Sequence, residues 1–149
     1  LVNPNEIDIA GAILNVQQLA YLQESLLINY PDLPPLKETL EDIQISKEIF
    51  LGYDDAEMLV GVLSYTITSN KLTIQRLVVH PTHARKGIGQ ALVEKVLEQP
   101  HIQTFIVSTA EKNSPAINLY EKHGFRIARR HTTQDGLVIV NVEKLNVLP

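Results

Sequence analysis

The segment HPTHARKGIGQALVEKVL, residues 80 to 97, sets Arg85 and Lys86 directly before Gly87 and Gly89, with an apolar-periodic run behind them. These residue types at this spacing suit an anion. Glycines let the backbone turn tightly, and the first turn of a following helix offers unpaired N–H groups and the positive end of its dipole. Two nucleotide-binding designs are excluded. A Walker-type loop needs a lysine and a hydroxyl directly after its last glycine, and a dinucleotide loop needs a third glycine where this chain has Leu92. The surroundings favour an anion too: from Met58 through Val93 there is no Asp or Glu, while Lys71, Arg76, Arg85, Lys86, His80 and His83 are present.

The elements that must position this loop follow from periodicity. Ile9, Ile13, Val16, Leu19, Leu22 and Leu26 recur at helical spacing and predict an amphipathic helix over residues 8 to 29. NYPDLPP breaks it, and Pro34-Pro35 lead into a second helix with Leu36, Leu40 and Ile43 on one face. EIFLGY and EMLVGVLSYTI form a hairpin around an Asp54-Asp55 turn, and KLTIQRLVV is a strand that stops at His80-Pro81. The glycine turn then opens a helix carrying Ile88, Leu92 and Val96, followed by the strand QTFIVSTA. Ser114 as N-cap, Pro115 in the first turn and Gly124 beyond the end delimit a helix over 115 to 123. FRIARR and LVIVNVEKL close the chain as a hairpin around Gln134-Asp135-Gly136. The expected fold is a single α/β domain, residues 1 to 149, with a mixed sheet flanked by about four helices.

Composition narrows the function classes. No segment approaches the ~20 apolar residues of a membrane span, and the start lacks the marks of a secretory signal, so a soluble, cytoplasmic protein is expected. The chain does not begin with Met, which leaves its native start open. With no cysteine, disulfides and thiol nucleophiles are excluded. The net charge of −4 is unevenly spread. Residues 1 to 57 carry eleven carboxylates against Lys37 and Lys47, whereas residues 58 to 149 carry eleven basic residues against six acids. Arg126, Arg129, Arg130 and His131 form a basic cluster, but net acidity and only eight aromatic side chains argue against a nucleic-acid surface.

LVVHPTHARKGIGQALV, followed about a strand later by NSPAINLYEKHGF, resembles the two central motifs of the GNAT superfamily of acetyl-CoA-dependent N-acetyltransferases. The resemblance implies two parallel strands that splay apart, with the pantetheine of acetyl-CoA in the wedge against backbone groups near Leu77, Val78 and Val79. It implies a pyrophosphate surrounded by Arg85, Lys86, Gly87, Ile88, Gly89 and Gln90, mainly through main-chain N–H donors. Asn113 and Asn118 match positions that bond to pantetheine or organise the loop, and Tyr120 matches the phenol that protonates the departing thiolate. One departure is Ala84, where the family prefers Arg or Gln.

The implied reaction is direct attack of a neutral primary amine on the thioester, without a covalent enzyme intermediate and without a metal. A general base is missing: Gln75 stands where many relatives carry a carboxylate, and a water relay past His80, Tyr65 or Glu48 is the substitute. The family's acceptor wall maps to residues 30 to 35, the strands near Tyr65 and the last hairpin. The acidic N-terminal third favours a cationic amine of a small molecule or a peptide. An acyl-CoA-binding module with little transferase activity is the alternative, and a homodimer is left open.

Overall fold

In the computed structural model of the chain, which describes residues 1–146, the first expected helix forms as α1, Ile7–Leu27. Its inward face is not the predicted one. Ala10, Ile13 and Val16 are buried as expected, but Leu22 and Leu26 are 53% and 77% exposed. In the second half of the helix Gln17, Tyr21, Glu24 and Ser25 turn inward or line a cleft instead. Apolar periodicity follows the leucines, whereas the fold buries the polar stripe beside them.

The second helix is also interrupted. A 3-10 turn, Pro34–Lys37, is separated from α2, Leu40–Gln44, by extended Glu38. The break has a local cause. Thr39 caps α2 by accepting from the Asp42 N–H, while the Asp42 carboxylate accepts from the Thr39 N–H.

Strands β1, Ile49–Asp55, and β2, Met58–Thr68, are joined at Ala56 and Glu57, not at Asp54-Asp55. Both residues have positive φ, 51° and 68°, as a two-residue hairpin turn matched to strand twist demands. After β3, Lys71–Val79, come α3, Ile88–Leu97, β4, Thr104–Ala110, α4, Ser114–Lys122, β5, Arg126–Thr132, and β6, Val138–Leu145. The cap of α4 is Asn113, whose side chain accepts from the Ala116 N–H, rather than Ser114.

The sheet runs β1-β2-β3-β4-β6-β5. Its parallel pair is β3 with β4, in register only from Lys71 opposite Thr104 to Ile74 opposite Val107. Beyond that point the two strands continue without pairing. The register of β3 on β2 jumps at the same level, from Tyr65 opposite Ile74 to Ser64 opposite Arg76, leaving Gln75 as a bulge. A bulge bends its strand and increases local twist, so it helps to turn β3 away from β4.

The helices cover both faces. Ile13, Val16 and Ile43 pack on Phe50, Val62 and Val78 on one side. On the other, Leu92, Val93, Val96 and Tyr120 pack on Leu63, Leu72, Ile74 and Phe105. Helix α3 lies close to the sheet because β2 has Gly61 beneath it. A Cβ there would fall 2.6 Å from Ile88 Cγ2 and 3.2 Å from Leu92 Cδ1.

Candidate active site

Where β3 and β4 part, a cleft of about 230 Å³ opens between them. Residues 74–77 of β3 and 107–110 of β4 supply opposite walls. Tyr21 and Glu24 of α1 enter from one face, and Asn113 and Tyr120 of α4 from the other. Leu33, Pro35 and Leu137 border it as well. The Tyr30 hydroxyl donates to the Asp135 carboxylate, tying the segment after α1 to the β5–β6 turn. Unpaired strand backbone in such a wedge offers donors and acceptors to an extended amide ligand.

A second feature adjoins the end of β3. Gly87 caps α3 at φ +80°, a conformation that suits glycine, and no side chain caps this helix. The N–H groups of its first turn, Ile88 to Gln90, are therefore left for water or an anion. Arg85 and Lys86 are exposed beside them. At Gly89 a Cβ would make ordinary contacts with Leu119 at 3.4 Å and Val79 at 3.9 Å, so packing does not by itself require glycine there.

The strongest electrostatic feature is buried Arg76. Its Nε and Nη2 donate to Glu48 at 3.0 and 3.1 Å, and Nη1 donates to Gln17 at 2.7 Å and Glu38 at 3.0 Å. Ser64 and the Phe50 ring complete its surroundings. Burial opposes the charge on Glu48, but hydrogen bonds from Arg76 and Ser64 outweigh it and hold this carboxyl below its ordinary range. Arg76 is thus committed to two carboxylates. Glu24 behaves oppositely: burial raises its pKa, against a hydrogen bond from Asn113 Nδ2 at 2.6 Å. Burial, then the charge of Glu24, pushes the Tyr120 phenol well above its usual range, so it stays protonated.

Residues 46–127 match the acetyltransferase (GNAT) domain family. The chain belongs to the GNAT acetyltransferase family. It is 43% identical over 135 residues to the UPF0157 protein YqkA of Bacillus subtilis (strain 168), covering 90% of this chain but 39% of that one. The chain therefore spans less than two fifths of that relative's length. Its fold is also that of the ribosomal-protein-S18-alanine N-acetyltransferase from Escherichia coli, with TM-score 0.76 at 19% identity over 97% of this chain and 92% of that one. PaiA N-acetyltransferase from Thermoplasma acidophilum, in complex with coenzyme A, gives TM-score 0.76 at 22% identity over 95% of both chains. The mixed sheet with one splayed parallel pair is the GNAT arrangement expected from the sequence.

The GNAT site residues expected from sequence fall into three groups. Leu77, Asn113 and Tyr120 line the cleft together. Residues 85–90 form the neighbouring loop and helix start, with Ile88 buried. Val78, Val79 and Asn118 do not line the cleft: Val78 packs under α1, Val79 packs against the main core and Asn118 is exposed. None of the three relay candidates lines it either. Tyr65 is in the core, Glu48 is held by Arg76, and His80 Nδ1 accepts from the Thr82 N–H in the turn after β3.

Sequence reasoning missed Glu24, the one carboxylate on the cleft wall among the described residues. The sequence carries only part of its signal. Gln17, Tyr21 and Glu24 stand at helical spacing on the turn of α1 adjacent to the leucines. The carboxylate-free window is also less clean in space than along the chain, since Asp55 reaches His83 at 2.9 Å and Glu94 accepts from Gln90 at 3.1 Å.

Proposed function

We propose that this chain transfers the acetyl group of acetyl-CoA to a primary amine by direct attack. The observation that carries the proposal is the open wedge between β3 and β4, walled by Leu77, Asn113 and Tyr120 and continuous in sequence with the uncapped start of α3. Family membership supports an acyl-CoA donor, and so does the coenzyme A held by the similarly folded PaiA.

In this proposal backbone groups of residues 75–79 hold the pantetheine arm, and the N–H groups of residues 87–90 with Arg85 and Lys86 hold the pyrophosphate. Asn113, already fixed as the cap of α4, presents its amide to the cleft. A backbone N–H near Leu77 stabilises the oxyanion that develops when the amine attacks. Tyr120 then gives the leaving sulfur a proton. Its raised pKa keeps the phenol protonated but also makes it a weaker acid, so the transfer depends on the phenol oxygen regaining a proton from the attacking nitrogen as the adduct collapses. Gln75 cannot act as base, because an amide has no basic lone pair in this range, and its Nε2 donates to Thr66 at 3.0 Å.

The acceptor enters past residues 30–35 and the β5–β6 turn, and the acidic N-terminal third favours a cationic amine. The test is release of free thiol from acetyl-CoA in the presence of a panel of primary amines. Amine-dependent release at a rate well above hydrolysis is expected. Tight acetyl-CoA binding with no release for any amine would instead identify an acyl-CoA-binding module.

A further inference from the structure

We propose that Glu24 binds the acceptor's ammonium in the cleft and takes its proton before the nitrogen attacks, an inference that rests on the transferase reading above. An amine enters at neutral pH as R–NH₃⁺ and cannot attack until it loses a proton. Some group within reach of the wedge must receive it.

The relay candidates and the carboxylates around Arg76 do not reach the cleft wall. Glu38 and Glu48 are bound to Arg76, at 3.0 Å each, and stand off the cleft wall. Gln75 is an amide, and Tyr65 and His80 lie outside the lining. Glu24 is on the wall, between β3 and β4 on the side opposite Tyr120, and its Oε1 is oriented by Asn113 Nδ2 at 2.6 Å. Asn113 is itself anchored as the cap of α4, so the carboxylate is held by a fixed donor from a second element. A carboxylate in that position offers an ammonium a counter-ion and a proton acceptor at once.

The other titratable groups facing the cleft do not compete. Tyr21, from the same helix, and Tyr120, from α4, are kept protonated by burial. Arg76, from β3, stays charged and is matched by Glu38 and Glu48 behind it. Glu24 is thus the carboxylate on the wall that is left to take the proton. Burial raises its pKa and makes it a better proton acceptor than an exposed carboxylate.

The step balances. Glu24 takes one proton from R–NH₃⁺, and the free amine forms a C–N bond to the thioester carbonyl carbon. The C–S bond breaks with its electron pair leaving on sulfur. Tyr120 gives that sulfur a proton and is recharged by the second proton that the nitrogen loses as the tetrahedral adduct collapses, so the product amide keeps one N–H, while Glu24 releases the first proton to water.

The experiment measures kcat/KM for a primary alkylamine from pH 5 to pH 10 in wild type, Glu24→Gln and Glu24→Asp. Acetyl-CoA Kd and thermal stability are measured alongside. Glu24→Gln should lower kcat/KM about 100-fold at pH 7 and shift its rise towards the pKa of the free amine, with acetyl-CoA Kd unchanged. Glu24→Asp, which keeps the carboxyl, should retain the wild-type shape of the profile at a lower rate. An aromatic amine, already neutral at pH 7, should be spared by Glu24→Gln.

Stability separates this role from a structural one. A carboxyl whose folded pKa is raised above 4.5 contributes most when protonated, and that contribution is lost as pH rises through the folded pKa. Glu24→Gln should therefore be at least as stable as wild type at pH 7. An active wild type with the same profile in Glu24→Gln, or a variant that loses stability and acetyl-CoA binding together, would overturn the role of Glu24. A wild type that releases no thiol with any amine would overturn the transferase reading first, and shows as a failure of the wild type alone.

Discussion

Tyr120 and Arg76 illustrate how burial assigns different work to polar side chains. The phenol is 3% exposed and packs on Phe125 at 5.5 Å between ring centroids, yet it lines the cleft. Tyr120→Phe should keep that packing and remove only the proton. We expect kcat to fall about 100-fold with acetyl-CoA affinity unchanged, as read by steady-state kinetics and calorimetry. Equal activity would remove the acid role. Arg76 was read from sequence as part of a basic window for an anion, and the fold gives it another use. Glu48→Gln would leave its guanidinium short of one of two carboxylates in a buried setting, and should cost about 3 kcal/mol at pH 7 by chemical denaturation. Because the Glu48 pKa is lowered, that contribution is present above the ordinary carboxylate range and is lost as pH falls through the folded value. The difference between variant and wild type should therefore shrink in acid.

At the scale of elements, the strands and the helices after them were legible because apolar alternation, Gly87 and Gly124 mark them locally. Both glycines do adopt positive φ, 80° and 93°. Helix α1 was legible in extent and not in orientation. Its second half turns Gln17, Tyr21 and Glu24 towards Arg76 and the cleft, a pairing across 59 residues in the case of Gln17 and Arg76 that periodicity cannot foresee. The split of the second helix follows the same contact, since extended Glu38 reaches the same guanidinium. Gly61 was unremarked because its reason is tertiary: it lets α3 sit on β2. Gly61→Ala should force Ile88 and Leu92 outward and move the start of α3. A loss of about 1 to 3 kcal/mol in stability, accompanied by weaker acetyl-CoA binding, is expected from denaturation and calorimetry. Weaker stability with unchanged affinity would show that the position of α3 does not govern the anion site.

For the whole molecule, the fold class and the order of elements along the chain could be anticipated because motif order, turn residues and apolar runs agree with one another. The candidate site was half legible. The proposed anion loop, Asn113 and Tyr120 carry signals in local sequence, whereas Glu24 joins them through the packing of α1 across the sheet. Charge was the least transferable signal. The carboxylates of the N-terminal third are partly spent on Arg76, and carboxylates from elsewhere stand near the loop. The central claim is that acetyl-CoA enters the wedge that β3 and β4 leave open, with its pyrophosphate on the first turn of α3. Amide hydrogen exchange with and without acetyl-CoA tests it most directly. Slowed exchange in residues 75–79 and 87–90 is the predicted result, and unchanged exchange there, with protection confined to another surface such as β5, would contradict it.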